Sequence, residues 1–126
     1  MNHRLQVRIA ALVMFLAIAL GAMGAHALED RLTGSGHLNH WKTAALYQMV
    51  HGLALFTIAL VSRAEKATLS YWMWLVGVLL FSGSLNVLCL TGFTRLGAIT
   101  PLGGLAFMIG WLALIFRPSA ALGNKD

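Results

Sequence analysis

Seven polar side chains inside otherwise apolar stretches are the residues of this sequence best suited to chemistry. They are His26, Gln48, His51, Ser82, Ser84, Asn86 and Thr100. Their imidazole, amide and hydroxyl groups can donate and accept hydrogen bonds, and a neutral imidazole can also bind haem iron or a metal ion. We interpret these seven residues as a candidate binding cluster.

Four long apolar runs must position these side chains. The runs cover residues 7–28, 41–61, 71–90 and 97–116, and a helix needs about 20 mostly apolar residues to cross the hydrocarbon core of a bilayer. Apolar and polar residues do not alternate within these runs, as they would in the strands of a transmembrane barrel, so the runs indicate helices. We therefore predict an all-α, polytopic membrane four-helix bundle with antiparallel neighbours and short loops, forming a single membrane domain over residues 1–126.

The composition agrees with a protein whose main solvent is lipid. Hydrophobic residues make up 59% of the chain and charged residues only 10%, whereas about a quarter of the residues of soluble proteins are charged. The net charge of +5 does not indicate nucleic-acid binding, because the basic residues lie at the ends of the runs, where they set orientation. The single cysteine, Cys89, is interpreted as a small buried residue of the third run.

Lysine and arginine are unevenly distributed between the two sides of the membrane. The termini and the second loop carry Arg4, Arg8, Arg63, Lys66, Arg117 and Lys125, whereas the first and third loops carry Arg31, Lys42 and Arg95. Because basic residues are enriched on the cytoplasmic side, we predict that both termini are cytoplasmic, in a bacterial inner membrane. The aromatic residues near the run ends are expected at the interfaces, with Tyr71, Trp72 and Trp74 inside and Trp41 outside.

The N-terminus has a second interpretation. Arg4 and Arg8, an apolar stretch and the AHA sequence at 25–27 resemble a signal peptide with its cleavage site. The uncharged stretch is longer than the usual 7–15 residues of a signal peptide and is long enough to span. We therefore predict that residues 1–27 stay attached.

Small residues at helical spacing indicate which faces of the runs pack. Lipid tails are as apolar as leucine, so membrane helices associate by close approach at small residues and by interhelical hydrogen bonds. The packing faces we predict are Ala10, Ala17, Gly21, Gly24 and Ala25 on the first run, Ala44, Ala45, Gln48, His51, Gly52, Leu55, Ala59 and Ser62 on the second, and Gly103, Ala106, Phe107 and Gly110 on the fourth.

The polar residues concentrate in the predicted outer half of the membrane, whereas the inner half holds only Thr57 and Ser62 apart from the aromatic residues. Polar groups within a membrane are costly unless they find partners, so we expect the cluster to point inward and meet, with Asn86 or Ser82 reaching His51. Two interpretations stay open at this point. The cluster is either a hydrogen-bonded core that fixes helix register, or a pocket open toward the outer leaflet.

Four ordered motifs resemble one family. They are GAMGAHAL at 21–28, YQMVH at 47–51, FSGSL at 81–85 and LGAITPLGG at 96–104. They are similar to signatures of the YgdD-like family, a group of small, uncharacterised four-span membrane proteins of bacterial inner membranes with eukaryotic relatives. The resemblance runs from about residue 19 to residue 111. It implies the four-span fold and an uncleaved first span, and it implies no activity.

Several functions compete on this sequence. The favoured one is a non-enzymatic binding or accessory bundle whose outer-half cluster meets a lipid headgroup, a quinone or a partner subunit, with a homo-oligomer as one form of partner. A small transporter or channel subunit is an alternative, although the only Asp, Glu, Lys or Arg within the runs are Arg8 and Lys42, each at the second residue of its run. A haem or metal protein would use His26 and His51, which differ in depth by about 12 Å if both helices are straight. We predict no cofactor, and haem and quinone are left open.

An enzyme would need a metal site in the first loop, formed by Glu29, Asp30, His37 and His40. The spacing of these residues matches no strong ligand motif.

Overall fold

The computed structural model describes residues 1–62 and 66–118, and the regular elements in these ranges are all helical. Along the chain they are α1 (His3–Ala25), α2 (Glu29–Ser35), α3 (Leu38–Val61), α4 (Leu69–Gly77), a π-helical segment (Val78–Gly83), α5 (Ser84–Thr91), a 3-10 helix (Thr94–Ala98) and α6 (Thr100–Phe116). Four continuous helical stretches are long and apolar enough to cross a membrane, which confirms the predicted all-α, four-span architecture. We number these spans one (His3–Ala25), two (Leu38–Val61), three (Leu69–Thr91) and four (Thr94–Phe116).

Polar caps start spans one and three a few residues before the apolar runs. Span one begins at His3 because the side chain of Asn2 accepts a hydrogen bond from the backbone N–H of Leu5. Thr68 caps span three in the same way, through the N–H of Tyr71. Pro101 stands in the first turn of α6, where its missing N–H costs no helical bond. The first loop contains one helix that the apolar pattern did not predict, α2, whose first turn carries Glu29 and Asp30.

Each span packs antiparallel on the next. Span one lies along span two, span two along span three, and span three along span four. The antiparallel register is visible in the hydrogen bonds, since Ser70 contacts Gly110 at one end of spans three and four while Ser84 contacts Thr100 at the other. Spans two and three are the central pair, with 44% of their apolar windows buried against 22% for spans one and four.

The predicted packing faces are largely confirmed. On spans two and four every residue of the predicted face is buried. On span one Ala10, Ala17 and Gly24 are buried, whereas Gly21 is half-buried and Ala25 is exposed. The predicted face of span one therefore packs as far as Gly24, which lies against Trp41 of span two, and Ala25 is the residue of this face that does not.

The four aromatic residues expected at the interfaces do lie near the ends of their spans, and three of them pack inside the bundle. Their depth in the membrane stays a prediction. Trp41, Tyr71 and Trp74 are buried in the protein, and only Trp72 is exposed. Burial of two of them is stabilised by backbone carbonyls of span one, since the Trp41 indole donates to Leu20 O at 2.7 Å and the Tyr71 hydroxyl to Gln6 O at 2.7 Å. Their polar atoms thus have partners without an interface.

Span three changes its helical winding in the middle. The π-helical segment Val78–Gly83 widens the helix between α4 and α5. At the same level the backbone of span four approaches span three most closely, because a Cβ added at Gly103 would meet the backbone nitrogen of Phe81.

Two of the basic residues from which the orientation was predicted, Arg63 and Lys125, lie outside the described residues.

Candidate functional site

His51 lies at the middle of span two with both ring nitrogens in hydrogen bonds. Its Nδ1 is 2.8 Å from the carbonyl oxygen of Tyr47, and its Nε2 is 3.1 Å from the indole nitrogen of Trp111 on span four. A carbonyl can only accept and an indole N–H can only donate. The ring is therefore a neutral imidazole with its proton on Nδ1.

Aromatic rings surround this imidazole. Phe107 stacks on it with ring centroids 3.6 Å apart and an interplanar angle of 11°, and Tyr47 lies parallel to it at 6.2 Å. Trp74 and Trp111 present edges at 6.4 and 6.0 Å. The polar group of the site is thus held in a largely apolar environment.

This environment opens into a cleft between spans two and four. The cleft has a volume of about 610 Å³, and its walls include Tyr47, His51, Phe81, Gly104, Phe107 and Trp111. A second cavity of about 340 Å³ continues from Trp111 toward the end of the bundle that carries the termini, lined by Val50, Leu53, Ala54, Thr57, Ile58, Val61, Trp74, Trp111 and Leu114. Trp111 lines both cavities and is 43% exposed, and its ring packs on that of Trp74 with centroids 4.4 Å apart.

The other polar side chains of spans two to four bind elsewhere. Gln48 donates to the carbonyl of Val13 at 3.0 Å, which ties span two to span one. Ser82 donates to the carbonyl of Ala44 at 2.8 Å, which ties span three to span two. These partners are backbone oxygens, which small residues leave accessible at the helix contacts.

Ser84 and Thr100 form a third pair. Their hydroxyls lie 2.7 Å apart, and Ser84 also lies 3.0 Å from the carbonyl of Phe81. The pair joins spans three and four next to the π-helical segment. The expectation of one shared polar cluster is therefore wrong, because five of the seven residues are divided among separate helix contacts.

Two of the seven join none of these contacts. His26 is exposed where span one ends, and Asn86 is half-buried on α5. Within the two described ranges neither side chain has a hydrogen-bond partner. The expected contact of Asn86 or Ser82 with His51 is also wrong, since Tyr47 and Trp111 occupy both of its nitrogens.

Trp111 is the residue of the site that sequence reasoning missed. It follows the predicted packing residue Phe107 by one helical turn, so spacing alone brings it to the same side of span four. The prediction that the inner half of the membrane holds almost no polar residues was also overstated. Gln6 and Ser70 lie just outside the predicted runs, yet both are buried at the end of the bundle that carries the termini.

The first loop brings two histidines near each other without a ligand set. The rings of His37 and His40 are 6.1 Å apart. In the part of the chain that the structure describes, no three His, Cys, Asp or Glu side chains are grouped as metal ligands. The alternative of a metal site in this loop gains no support from the geometry.

Comparison with known proteins gives a family without an assigned activity. Residues 20–104 match the family described as Protein of unknown function (DUF423). A UPF0382 membrane protein of Staphylococcus epidermidis is 46% identical over 107 residues, covering 83% of this chain and 87% of its own. A relative in Staphylococcus haemolyticus is 42% identical over 95% of this chain and 99% of its own, and the UPF0382 membrane protein YwdK of Bacillus subtilis is 42% identical over 83% and 88%. No solved structure matches the chain. With most of its length matched and four membrane-spanning helices, the chain belongs to the DUF423 family of membrane proteins.

Proposed function

We propose that this membrane protein is a non-enzymatic binding protein for a lipid-soluble ligand that carries a hydroxyl or carbonyl group, such as a quinone. The observation that carries the proposal is the position of His51, the member of the seven-residue set that lines the cleft between spans two and four. Sites for small ligands are concave and mostly apolar, with a few polar groups that fix orientation. Aromatic walls around one imidazole correspond to that description.

The polar end of such a ligand would use the pair formed by His51 and Trp111. The pair contains one lone pair, on His51 Nε2, and one donor, the Trp111 N–H. A ligand hydroxyl can replace the indole as donor to Nε2, while the released indole N–H donates to a ligand oxygen. A quinone carbonyl only accepts, so it would bind the indole N–H and not Nε2. The exposure of Trp111 supports this exchange, because part of its ring already forms the wall of the cleft.

The other functions receive less support from the geometry. A haem or metal held by His26 and His51 would need the exposed end of span one and the interior of span two to face each other, and it would displace Trp111 from Nε2. A lipid headgroup, a partner subunit or a second copy of the chain could also occupy the cleft, and the test below distinguishes them by mass.

We further infer the cellular setting. The six basic residues on the side of the termini and the second loop support a bacterial inner-membrane protein with both termini cytoplasmic, so that the cleft around His51 lies near the bilayer midplane. We also infer that the YgdD-like group and the DUF423 family are one family. All four motifs that carried the resemblance fall inside residues 20–104.

The proposal is tested by native mass spectrometry of the full chain released from its lipid membrane, with an absorption spectrum of the same sample. Wild type is compared with His51→Leu, which removes the lone pair and leaves the cleft apolar. We expect a bound organic species of defined mass on wild type and its loss from His51→Leu, with the variant still folded. Unchanged co-purification together with lower thermal stability would leave His51 a packing residue and contradict the proposal.

A further inference from the structure

A second cavity of different chemistry lies at the end of the bundle that carries the termini. It has a volume of about 510 Å³ and is lined by His3, Arg4, Val7, Arg8, Ala59, Leu60 and Ser62. Its walls come from the first turns of span one and the last turn of span two. The imidazole of His3, whose Nδ1 is 3.2 Å from the carbonyl of Ala59, joins the two walls.

Among the described residues, the two arginines of this cavity have no anionic side chain beside them. Arg4 and Arg8 stand one helical turn apart on one face of span one, and both are exposed. Within residues 1–62 and 66–118 neither guanidinium has a hydrogen-bond or ion-pair partner, and no carboxylate lines the cavity. Arg31, by contrast, donates to the carbonyl of Leu90.

The position of the cavity indicates which kind of anion would bind there. It lies at the ends of two membrane spans, where lipid headgroups are expected in either orientation of the protein. Val7 and Leu60 add apolar surface next to the charge, so a ligand with both a phosphate and an acyl chain fits better than a free ion. Two guanidiniums provide the planar, forked donors that suit phosphate oxygens.

We propose that Arg4 and Arg8, with His3, form a binding site for the headgroup phosphate of an anionic phospholipid. The site is separate from the cleft around His51, and it holds whether or not that cleft binds a ligand. Basic residues at a span end also set orientation, so the test measures lipid binding of purified protein rather than topology in cells.

The probe is phosphatidylglycerol, offered together with phosphatidylcholine of the same acyl chains. The full chain in a zwitterionic detergent is titrated with the equimolar pair, and native mass spectrometry gives the ratio of the two bound lipids. We expect wild type to prefer phosphatidylglycerol. At about fivefold per basic residue near a lipid surface, the preference should fall about fivefold in Arg8→Gln and further in Arg4→Gln with Arg8→Gln.

Two further variants distinguish lipid binding at a specific site from attraction by the net positive charge of the protein. Arg95→Gln removes one exposed positive charge at the other end of the bundle, and it should leave the preference unchanged. Arg4→Lys with Arg8→Lys keeps both charges but loses the forked donors, so the preference should fall, though less than in the double Gln variant. Circular dichroism shows that each variant is folded. A preference that survives the double Gln variant, or falls equally in Arg95→Gln, would overturn the proposal. Excess inorganic phosphate should not compete; if it abolishes the preference, the site takes a free anion and the lipid assignment is wrong.

Discussion

At the scale of single residues, the polar side chains of the spans divide into two kinds. Gln48, Ser82 and Ser84 bind across helix contacts, to backbone carbonyls or to Thr100, and so fix the register of neighbouring spans. His51 instead binds a partly exposed indole at the wall of a cleft. The sequence could not separate the two kinds, because all four side chains are polar and lie inside the apolar runs.

The bond between His51 and Trp111 can be measured directly. A double-mutant cycle with His51→Leu and Trp111→Phe should give a coupling free energy of about 0.6 kcal/mol, and not more than about 1.7 kcal/mol, as for other hydrogen bonds within membranes. Neither variant should disturb Gln48, since its partner is Val13. Reversible unfolding in mixed micelles provides the free energies. A coupling of zero would show that the two rings are not bonded.

At the scale of elements, aromatic rings of one span pack directly against glycines of the neighbouring span. A Cβ at Gly24 would meet the ring of Trp41, one at Gly77 that of Phe107, and one at Gly110 that of Trp74. The small-residue stripes of spans one and four could be predicted from spacing, and they do pack. Which ring fills which glycine could not, because that depends on how far neighbouring spans are shifted along each other, and no spacing within one run gives this shift.

Gly103 and Gly104 are adjacent in the chain but differ in the space around them, so the same substitution at each tests this packing. We expect Gly103→Ala to destabilise the fold by about 1–3 kcal/mol, because its Cβ would press on the backbone of Phe81. A Cβ at Gly104 lies 3.7 Å from the ring of Phe81, which is an ordinary contact, so Gly104→Ala should be neutral or stabilise by up to about 1 kcal/mol through helix propensity. Thermal unfolding of both variants in detergent measures the difference, and effects of the same sign and size would contradict the close approach.

Span one should remain part of the mature protein. Its Ala10 and Ala17 are fully buried against the bundle, and its Leu20 carbonyl binds the Trp41 indole. Loss of residues 1–27 would remove these partners and expose a buried tryptophan. Intact mass of the purified chain measures this. A species that begins at Leu28 would contradict the prediction.

At the scale of the whole molecule, length and composition were enough for the four spans and their antiparallel order. They were not enough for the cleft, which exists because spans two and four both pack on span three and leave a gap between them. Such a gap depends on the crossing of three helices rather than on any one pattern. The orientation in the membrane stays a prediction from the distribution of basic residues.

Reporter fusions test that orientation. A reporter active only in the periplasm should be silent when fused after Asp126 and active when inserted after Gly34. Gly34 suits the insertion, because it is exposed on α2 and has open space around it. The reverse pattern would place the α2 end of the bundle in the cytoplasm.

The most direct test of the binding proposal fills the cleft without touching His51. Gly104 lines the cleft, so Gly104→Leu adds a side chain there, while Gly34→Leu makes the same change in open space on α2. Native mass spectrometry should detect the same bound species on wild type and Gly34→Leu, and none on Gly104→Leu, with all three proteins folded. A wild-type protein without any bound species, or a Gly104→Leu protein that retains it, would contradict a ligand site between spans two and four.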